Sequence, residues 1–502
     1  MSTPISSARR NLGLAPIVLA AAAVLAIGVV LRAWILRSAF GVLNGDEAYS
    51  GLQSIDVIRD GRFPIVMDGS VYTAAIDAYF FSPLMVFAGG SIAVLKWGFS
   101  CVWLLVVGAS FGGARYLGGR RAAALSATLV LLAPGALLVL STRSYMGYAL
   151  GLSVAAATVW ATAIVTDQAT AKPRSSAIVG FLAGLAFFIH PMWVTMLGPV
   201  VAVACVVHIR DWRRWWAPAA GGALLANTPF LLWNASNGWP SLNSQVYPPG
   251  SYLDRLTGFA TGLMPRALGL RTLDGRWVFG KPIGLAIYLL IAVGVVVGCV
   301  HLVRSSQRPS RWVVPIGLAL CFPVMALLPH LIFVLDGRYG IIPFPLIAIA
   351  LGAALSRAVA GFSPRRALAS VLVLAVVWAS VTIVPFMQRQ QMFERAQSNA
   401  WIDRVINRLD EVGIDRVAGS YWMVLPLEYR SDQRIRTAIA GNPYVIRFPS
   451  SQRIVGRAPA DEVAFLFPPG EQPPGWFYLP VDEYRQEDLG GVILYLPPAA
   501  GA

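Results

Sequence analysis

The chain has 502 residues, of which 56% are hydrophobic and only 13% are charged, about half of the roughly 25% charge of an ordinary soluble domain. This composition excludes a soluble protein with a single core. Residues 387–502 make up less than a quarter of the chain but hold 26 of the 65 Asp, Glu, Lys and Arg residues. We therefore expect a membrane body over residues 1–386 and a water-exposed domain over residues 387–502.

The formal net charge is +15, but the basic residues lie in short clusters between apolar runs and not in one patch. This distribution fits membrane orientation better than nucleic-acid binding, so we expect no nucleic acid among the partners. All four cysteines fall inside apolar runs, and no pair has the spacing of a metal or redox site.

Eleven stretches are apolar and long enough to be candidate membrane spans. A spanning helix needs about 20 apolar residues, because hydrocarbon offers the backbone no hydrogen-bond partner. The stretches lie at residues 12–36, 92–113, 123–140, 146–166, 176–190, 192–209, 216–233, 283–303, 312–334, 340–356 and 367–386. They predict an all-α polytopic membrane protein with about 11 transmembrane helices.

Arginine and lysine residues cluster in alternate connections between these stretches, as at Arg115, Arg120 and Arg121. Because positively charged loops stay in the cytoplasm, the N-terminus is predicted to be cytoplasmic. Loops 37–91 and 234–282 and the C-terminal domain then lie outside the plasma (inner) membrane. The first stretch lacks a small-x-small cleavage site, so we interpret it as a retained span and not as a signal peptide.

The charged C-terminal part has the pattern of a small extracytoplasmic α/β domain. Its apolar residues recur at helical spacing from Trp401 to Val412, and Gly413 offers a C-cap. Short apolar runs at residues 463–467 and 492–496 lie between Pro and Gly clusters and predict strands. We expect this domain to cover a site or to contact a partner.

Acidic residues are missing from the interiors of the predicted spans, which argues against a proton-coupled transporter. They gather in loop 37–91, where Asp46 and Glu47 begin a short helix expected to lie along the membrane surface and to end at Asp60. Two interpretations remain open for the pair. Asp46 could be the N-cap with Glu47 a first-turn acid, or one of them could be a general base that takes a proton from an acceptor hydroxyl.

Three elements occur together in this sequence: Gly45-Asp46-Glu47-Ala48, residues 229–234 (PFLLWN) with 238–240 (GWP), and Asp336-Gly337-Arg338-Tyr339 before two prolines. In this layout, residues 12–390 resemble the GT-C polyprenyl-phosphate-sugar transferases, nearest to the protein mannosyltransferase and lipid A aminoarabinose transferase branch. Residues 419–422 (GSYW) are similar to stretches in bacterial members.

The resemblance implies a membrane glycosyltransferase that moves a sugar from a polyprenyl-phosphate donor to an extracytoplasmic lipid, glycan or protein acceptor, with inversion. It implies Asp46 as the general base and Glu47 as a supporting or metal-proximal acid. Membrane lipids are the remaining expected partners.

A lipid phosphate at the outer interface needs cationic contacts. Arg338, Arg143 and Lys281 lie just outside predicted spans, and we assign them to the donor phosphate. Arg338 comes first, because the neighbouring Asp336 can orient its guanidinium. Any of the three could instead extend to lipid headgroups.

Tyr49, Asp77, Tyr339 and His190 complete the predicted substrate-binding set. Asp77 either contributes a second acid or only caps the apolar run that follows it. No cofactor is predicted with certainty, and Glu47 and His190 are the residues that could hold a divalent metal ion. The alternatives to a transferase are a polytopic lipid or solute transporter without transferase chemistry, and an assembly subunit whose outer tail binds a partner.

Overall fold

The computed structural model describes residues 14–242, 250–328, 332–390, 398–440, 447–471 and 480–498. The chain before residue 391 is a helical body. Its helices are α1 (Leu14–Arg37), α2 (Gly45–Arg59), α3 (Ile76–Ala88), α4 (Ile92–Leu131), α5 (Gly135–Leu140), α6 (Ala149–Thr166), α7 (Pro173–Ile189), α8 (Val194–Val207), α9 (Ala217–Ser236), α10 (Tyr252–Gly258), α11 (Met264–Ala267), α12 (Lys281–Ser305), α13 (Val313–Leu327), α14 (Phe344–Ala358), α15 (Pro364–Trp378) and α16 (Val384–Arg389).

Six helical segments of the described residues are long and apolar enough to cross a membrane. They are Ala15–Arg37, Ile92–Leu131, Ala149–Thr166, Lys281–Ser305, Pro309–Leu327 and Pro364–Arg389. Four further apolar helices have 10–17 residues: Ile76–Ala88, Pro173–Ile189, Pro191–Val207 and Phe344–Ala358. Each of the eleven predicted stretches overlaps a helix, and the predicted all-α membrane fold is confirmed.

Two predicted boundaries differ from the structure. Stretches 92–113 and 123–140 share the long helix α4, which is kinked at Gly119, where φ is +82°. A side chain disfavours this backbone conformation, whereas glycine adopts it without strain. The predicted outer loops 37–91 and 234–282 are also partly helical, since they contain α2 and α3, and α10 and α11.

The C-terminal part forms a five-stranded sheet with helices, as predicted. Its elements are α17 (Ala400–Val412), β1 (Arg416–Gly419), α18 (Tyr421–Arg430), β2 (Arg436–Ile439), α19 (Pro449–Val455), β3 (Val463–Phe467), β4 (Arg485–Asp488) and β5 (Ile493–Leu496). The strand order is β2-β1-β3-β5-β4, with β1 parallel to both neighbours and β5 antiparallel to both of its own. The predicted helix ends at Gly413, which is left-handed, with φ of +72°.

Helix α2 joins the body to this C-terminal unit. It packs against α3 on one side and α18 on the other, and buried residues of the three helices belong to one hydrophobic cluster. Gly45 and Gly51 permit the close contact, because a Cβ atom at either position would overlap the ring of Tyr421 or Tyr429, respectively. The surface helix predicted from the sequence is therefore covered by protein on both sides, and Tyr421 lies over its first turn.

Candidate active site

A capping box fixes the start of α2. The Asn44 side chain accepts a hydrogen bond from the Glu47 backbone N–H at 3.0 Å, and the Glu47 carboxylate accepts from the Asn44 backbone N–H at 3.4 Å. Such reciprocal bonds satisfy two donors that a helix start would otherwise leave unpaired. Asn44 is therefore the N-cap, and the interpretation of Asp46 as the N-cap is wrong.

Glu47 is completely buried in a cluster of opposite charge. Its carboxylate lies 2.7 Å from Lys96 Nζ and 2.7 Å from Arg143 Nη1. Burial alone would raise the pKa of Glu47, but the two cations outweigh it and hold the pKa below its usual value. Glu47 thus ties α2 to α4 and to the segment after α5. This buried position does not suit the predicted catalytic or metal-proximal acid, because the carboxylate is already fully engaged.

Asp46 has a different environment, although it is the neighbouring residue. Successive helical residues point about 100° apart. The Asp46 side chain is half-buried, and its Oδ1 accepts a hydrogen bond from the Tyr421 hydroxyl at 2.5 Å. Burial, and then the Asp46 carboxylate, raise the pKa of Tyr421, so this hydroxyl stays protonated and remains the donor. Tyr421 therefore fixes one carboxylate oxygen of Asp46.

Asp46 faces a cavity of about 190 Å³, which we call the Asp46 cavity. Its lining residues are Asp46, Tyr49, Ser50, Met67, Tyr72, Thr73, Tyr145, Met146, Tyr148, His190, Phe333, Arg338, Tyr339 and Arg447. A second cavity of about 270 Å³, the Arg143 cavity, is lined by Phe40, Asn44, Ala136, Val139, Leu140, Arg143, Tyr145, Leu273, Asp336, Arg338 and Phe386. Tyr145 and Arg338 line both cavities, so the two are neighbours.

Arg338 stands at the boundary of the two cavities and is held from several sides. Its Nε lies 2.6 Å from Asp336 Oδ2, which is the orienting contact expected from the sequence. Its guanidinium carbon also lies 6.0 Å and 5.2 Å from the ring centroids of Tyr148 and Tyr339. Contacts with a carboxylate and aromatic faces favour a positively charged arginine in a fixed orientation.

The predicted site residues are only partly brought together. Five of the nine line the Asp46 cavity, namely Asp46, Tyr49, His190, Arg338 and Tyr339, and Arg143 lines the neighbouring one. Lys281 is the exposed first residue of α12 and lines neither cavity. A larger apolar cavity of about 410 Å³ between α12 and α13 contains none of the predicted residues.

Asp77 also lies outside both cavities. It is buried in the first turn of α3, and its Oδ2 accepts a hydrogen bond from the Gly147 backbone N–H at 2.9 Å. Gly147 belongs to the segment that carries Arg143, Tyr145 and Tyr148. We conclude that Asp77 positions this segment, and the predicted direct contact with substrate does not fit its burial.

The predicted metal ligands do not form a metal centre. Among the described residues, no group of three or more His, Cys, Asp and Glu side chains could hold an ion. His190 lines the Asp46 cavity, but its Nδ1 accepts a hydrogen bond from the Met192 backbone N–H at 3.2 Å. Glu47 is occupied by Lys96 and Arg143.

The sequence matches no protein-family model and no curated protein. Solved structures do share its architecture. ArnT from Cupriavidus metallidurans in the apo state has a TM-score of 0.62 and 14% identity, over 97% of this chain and 99% of ArnT. ArnT bound to undecaprenyl phosphate gives 0.63 and 13%, over 98% and 100%. The chain has the GT-C fold. The oligosaccharyltransferase of Archaeoglobus fulgidus in the apo form is a weaker match, with a TM-score of 0.49 and 14% identity over 91% of this chain and 69% of that one.

The C-terminal unit adds two residues at the Asp46 cavity that are not among the predicted site residues. Tyr421 and Arg447 both come from the C-terminal unit, more than 370 positions from Asp46. Residues 419–422 belonged to the resemblance, so Tyr421 had a weak signal in the sequence. Arg447 had none, because one arginine among many in a charged domain carries no distinctive pattern.

Proposed function

We propose that the chain is a glycosyltransferase that moves a sugar from a polyprenyl-phosphate donor to an acceptor outside the plasma membrane. The observation that carries the proposal is that the Asp46 carboxylate and the Arg338 guanidinium line the same cavity. A proton acceptor and a phosphate-binding cation therefore face one space. ArnT from Cupriavidus metallidurans, which has the same fold, is known in a structure with undecaprenyl phosphate, and this supports the donor class.

The Arg143 cavity suits the lipid phosphate. Arg143 and Arg338 line it together with apolar side chains, among them Leu140 and Phe386. A phosphate that leaves water needs charged hydrogen-bond donors, and an isoprenoid chain needs an apolar surface. This cavity offers both, and we assign it to the donor.

The Asp46 cavity then receives the acceptor hydroxyl. Tyr421 holds Oδ1 of Asp46, which leaves Oδ2 to accept the hydroxyl proton. The acceptor oxygen forms a bond to the anomeric carbon while the bond from that carbon to the phosphate oxygen breaks. The electron pair leaves with the polyprenyl phosphate, which needs no acid to protonate it. Attack from the side opposite to the phosphate inverts the configuration at this carbon.

The decisive experiment is Asp46→Asn in the purified full-length protein. We expect turnover of undecaprenyl-phosphate-linked sugars, tested as a panel, to fall by roughly 10²- to 10⁴-fold, because a general base contributes about that much. Binding of undecaprenyl phosphate should persist. Asp60→Asn, at the exposed end of α2, is the matched control.

Transfer near the wild-type rate by the Asp46→Asn protein would overturn the proposal. The transporter alternative predicts that no sugar is released from the carrier in detergent solution, because transport requires a sealed vesicle. Sugar released from the carrier by purified protein in detergent would exclude it.

A further inference from the structure

Arg447 is the contribution of the C-terminal unit to the wall of the Asp46 cavity. Its guanidinium carbon lies 6.0 Å from the ring centroid of Tyr49, and its Nη1 lies 3.7 Å from Met67 Sδ. Among the described residues, no carboxylate lies within 4.0 Å of it, and its buried Nε has no hydrogen-bond partner. Arg447 thus brings a positive charge to the cavity with only weak protein contacts.

Among the described residues, Arg338 and Arg143 also line the cavities, but each of them has a carboxylate partner. Arg338 is paired with Asp336 at 2.6 Å, and Arg143 with Glu47 at 2.7 Å. An arginine that has a buried donor without a partner and no ion pair gains most from an anion supplied from outside, since an unpaired buried donor is costly.

The position of Arg447 indicates which substrate supplies that anion. Arg447 lines the Asp46 cavity and is absent from the lining of the Arg143 cavity, where we place the donor phosphate. It therefore lies with Asp46, on the acceptor side of Arg338.

We propose that Arg447 binds an anionic group, a phosphate or a carboxylate, on the acceptor molecule, close to the hydroxyl that Asp46 deprotonates. This inference rests on the proposed function. In this arrangement the C-terminal unit selects acidic acceptors through Arg447 and orients the base through Tyr421. The acceptor is thus bound by both the membrane body and the C-terminal unit.

A purely structural role would be that Arg447 balances the charge of Asp46. The two roles differ in what happens when the carboxylate is removed. If Arg447 binds an external anion, Asp46→Asn should tighten that binding, because a nearby negative charge disappears. If Arg447 only compensates Asp46, the wild type should not bind the anion, and removal of the carboxylate should create binding that the wild type lacks.

The test uses full-length protein in lipid nanodiscs saturated with undecaprenyl phosphate, so that the donor site is occupied. The probe is glycerol 3-phosphate, which combines a hydroxyl and a phosphate, with neutral glycerol as its counterpart. We expect Arg447→Gln to weaken glycerol 3-phosphate binding by roughly 10- to 100-fold and Arg447→Lys to weaken it less. Arg453→Gln, exposed on α19, should change nothing.

A second arm measures undecaprenyl phosphate binding and distinguishes the two sources of phosphate. We expect Arg447→Gln to retain it. The inference would be overturned if Arg447→Gln and wild type bound glycerol 3-phosphate equally, or if wild type did not bind it. Loss of undecaprenyl phosphate binding in Arg447→Gln would also overturn it. Undiminished transfer by Asp46→Asn would refute the proposed function instead, and the binding results would distinguish the two failures.

Discussion

The Asp46 cavity and the Arg143 cavity are neighbours, but different parts of the chain build them. Every described residue that lines the Arg143 cavity precedes residue 387 and belongs to the helical body. The Asp46 cavity also takes Arg447 from the C-terminal unit, and Tyr421 of the same unit holds its carboxylate. In the part of the chain that the structure describes, the proposed donor side is thus built by the body, whereas the proposed acceptor side takes residues from both parts. Four substitutions test this division, beginning with one that should disturb both cavities.

Glu47→Gln should have the largest effect on stability. Glu47 connects the helix that bears Asp46 to Lys96 and to Arg143 of the other cavity. The isosteric amide would leave two buried cations without their anion, at a cost of about 3–5 kcal/mol. The temperature of thermal unfolding in detergent should fall strongly. Glu411→Gln, which removes a partly exposed ion pair with Arg408, should change stability far less, and equal shifts for both variants would contradict the assignment.

Arg338→Gln should affect both cavities, because Arg338 lines each of them. The change removes the cation that both cavities share, and loss of charged hydrogen bonds to phosphate should reduce undecaprenyl phosphate affinity by roughly 10- to 100-fold. Turnover should fall as well. Arg276→Gln, at an exposed residue paired with Asp274, is the control for a general loss of positive charge. Unchanged donor affinity would remove Arg338 from the phosphate site.

Local sequence patterns predicted most of the fold, because they reflect neighbouring residues. Apolar runs located the spans, and spacing from Trp401 to Val412 with Gly413 located α17. The strand at residues 463–467 was predicted at its observed bounds, and the one at 492–496 begins one residue later.

The site was harder to predict, because it depends on contacts between distant parts of the chain. The resemblance supplied Asp46 and Arg338, and the structure places both on one cavity. The resemblance also implies a chemical role for Glu47, yet successive helical residues point about 100° apart, and the Glu47 side chain lies in the core. Arg447 could not be found, since its position depends on how the C-terminal unit packs on α2.

Tyr421→Phe should affect the Asp46 cavity only. The variant keeps the ring on Gly45 but loses the hydrogen bond to Asp46, so we expect turnover to fall by roughly tenfold with unchanged affinity for undecaprenyl phosphate. Tyr429→Phe is the matched control: Tyr429 packs on Gly51 in the same interface and donates to the Ser91 carbonyl at 3.1 Å. It should alter stability and leave turnover unchanged.

Asp56→Asn should have the smallest effect, on the contact between α2 and the C-terminal unit. Burial raises the pKa of Asp56 to about 6, although Gln433 donates to it at 2.9 Å and Arg62 forms an ion pair with it. The folded protein therefore binds a proton more tightly than the unfolded chain, so stability should decline as the pH rises from about 4 to 6 and then level off. Asp56→Asn should remove about 1–2 kcal/mol of this decline, measured by thermal unfolding across that range.

Burial also raises the pKa of Glu428, to about 7, but Glu428 is present in both wild type and Asp56→Asn. The difference between their plots of stability against pH therefore reports Asp56 alone. Parallel curves for wild type and variant would mean that Asp56 is ionised equally in the folded and unfolded states. The contact between α2 and Gln433 would then be insensitive to pH. A difference confined to pH 4–6 would instead show that protonation of one helix residue strengthens the packing of the C-terminal unit, the part that supplies Arg447 and Tyr421 to the acceptor side.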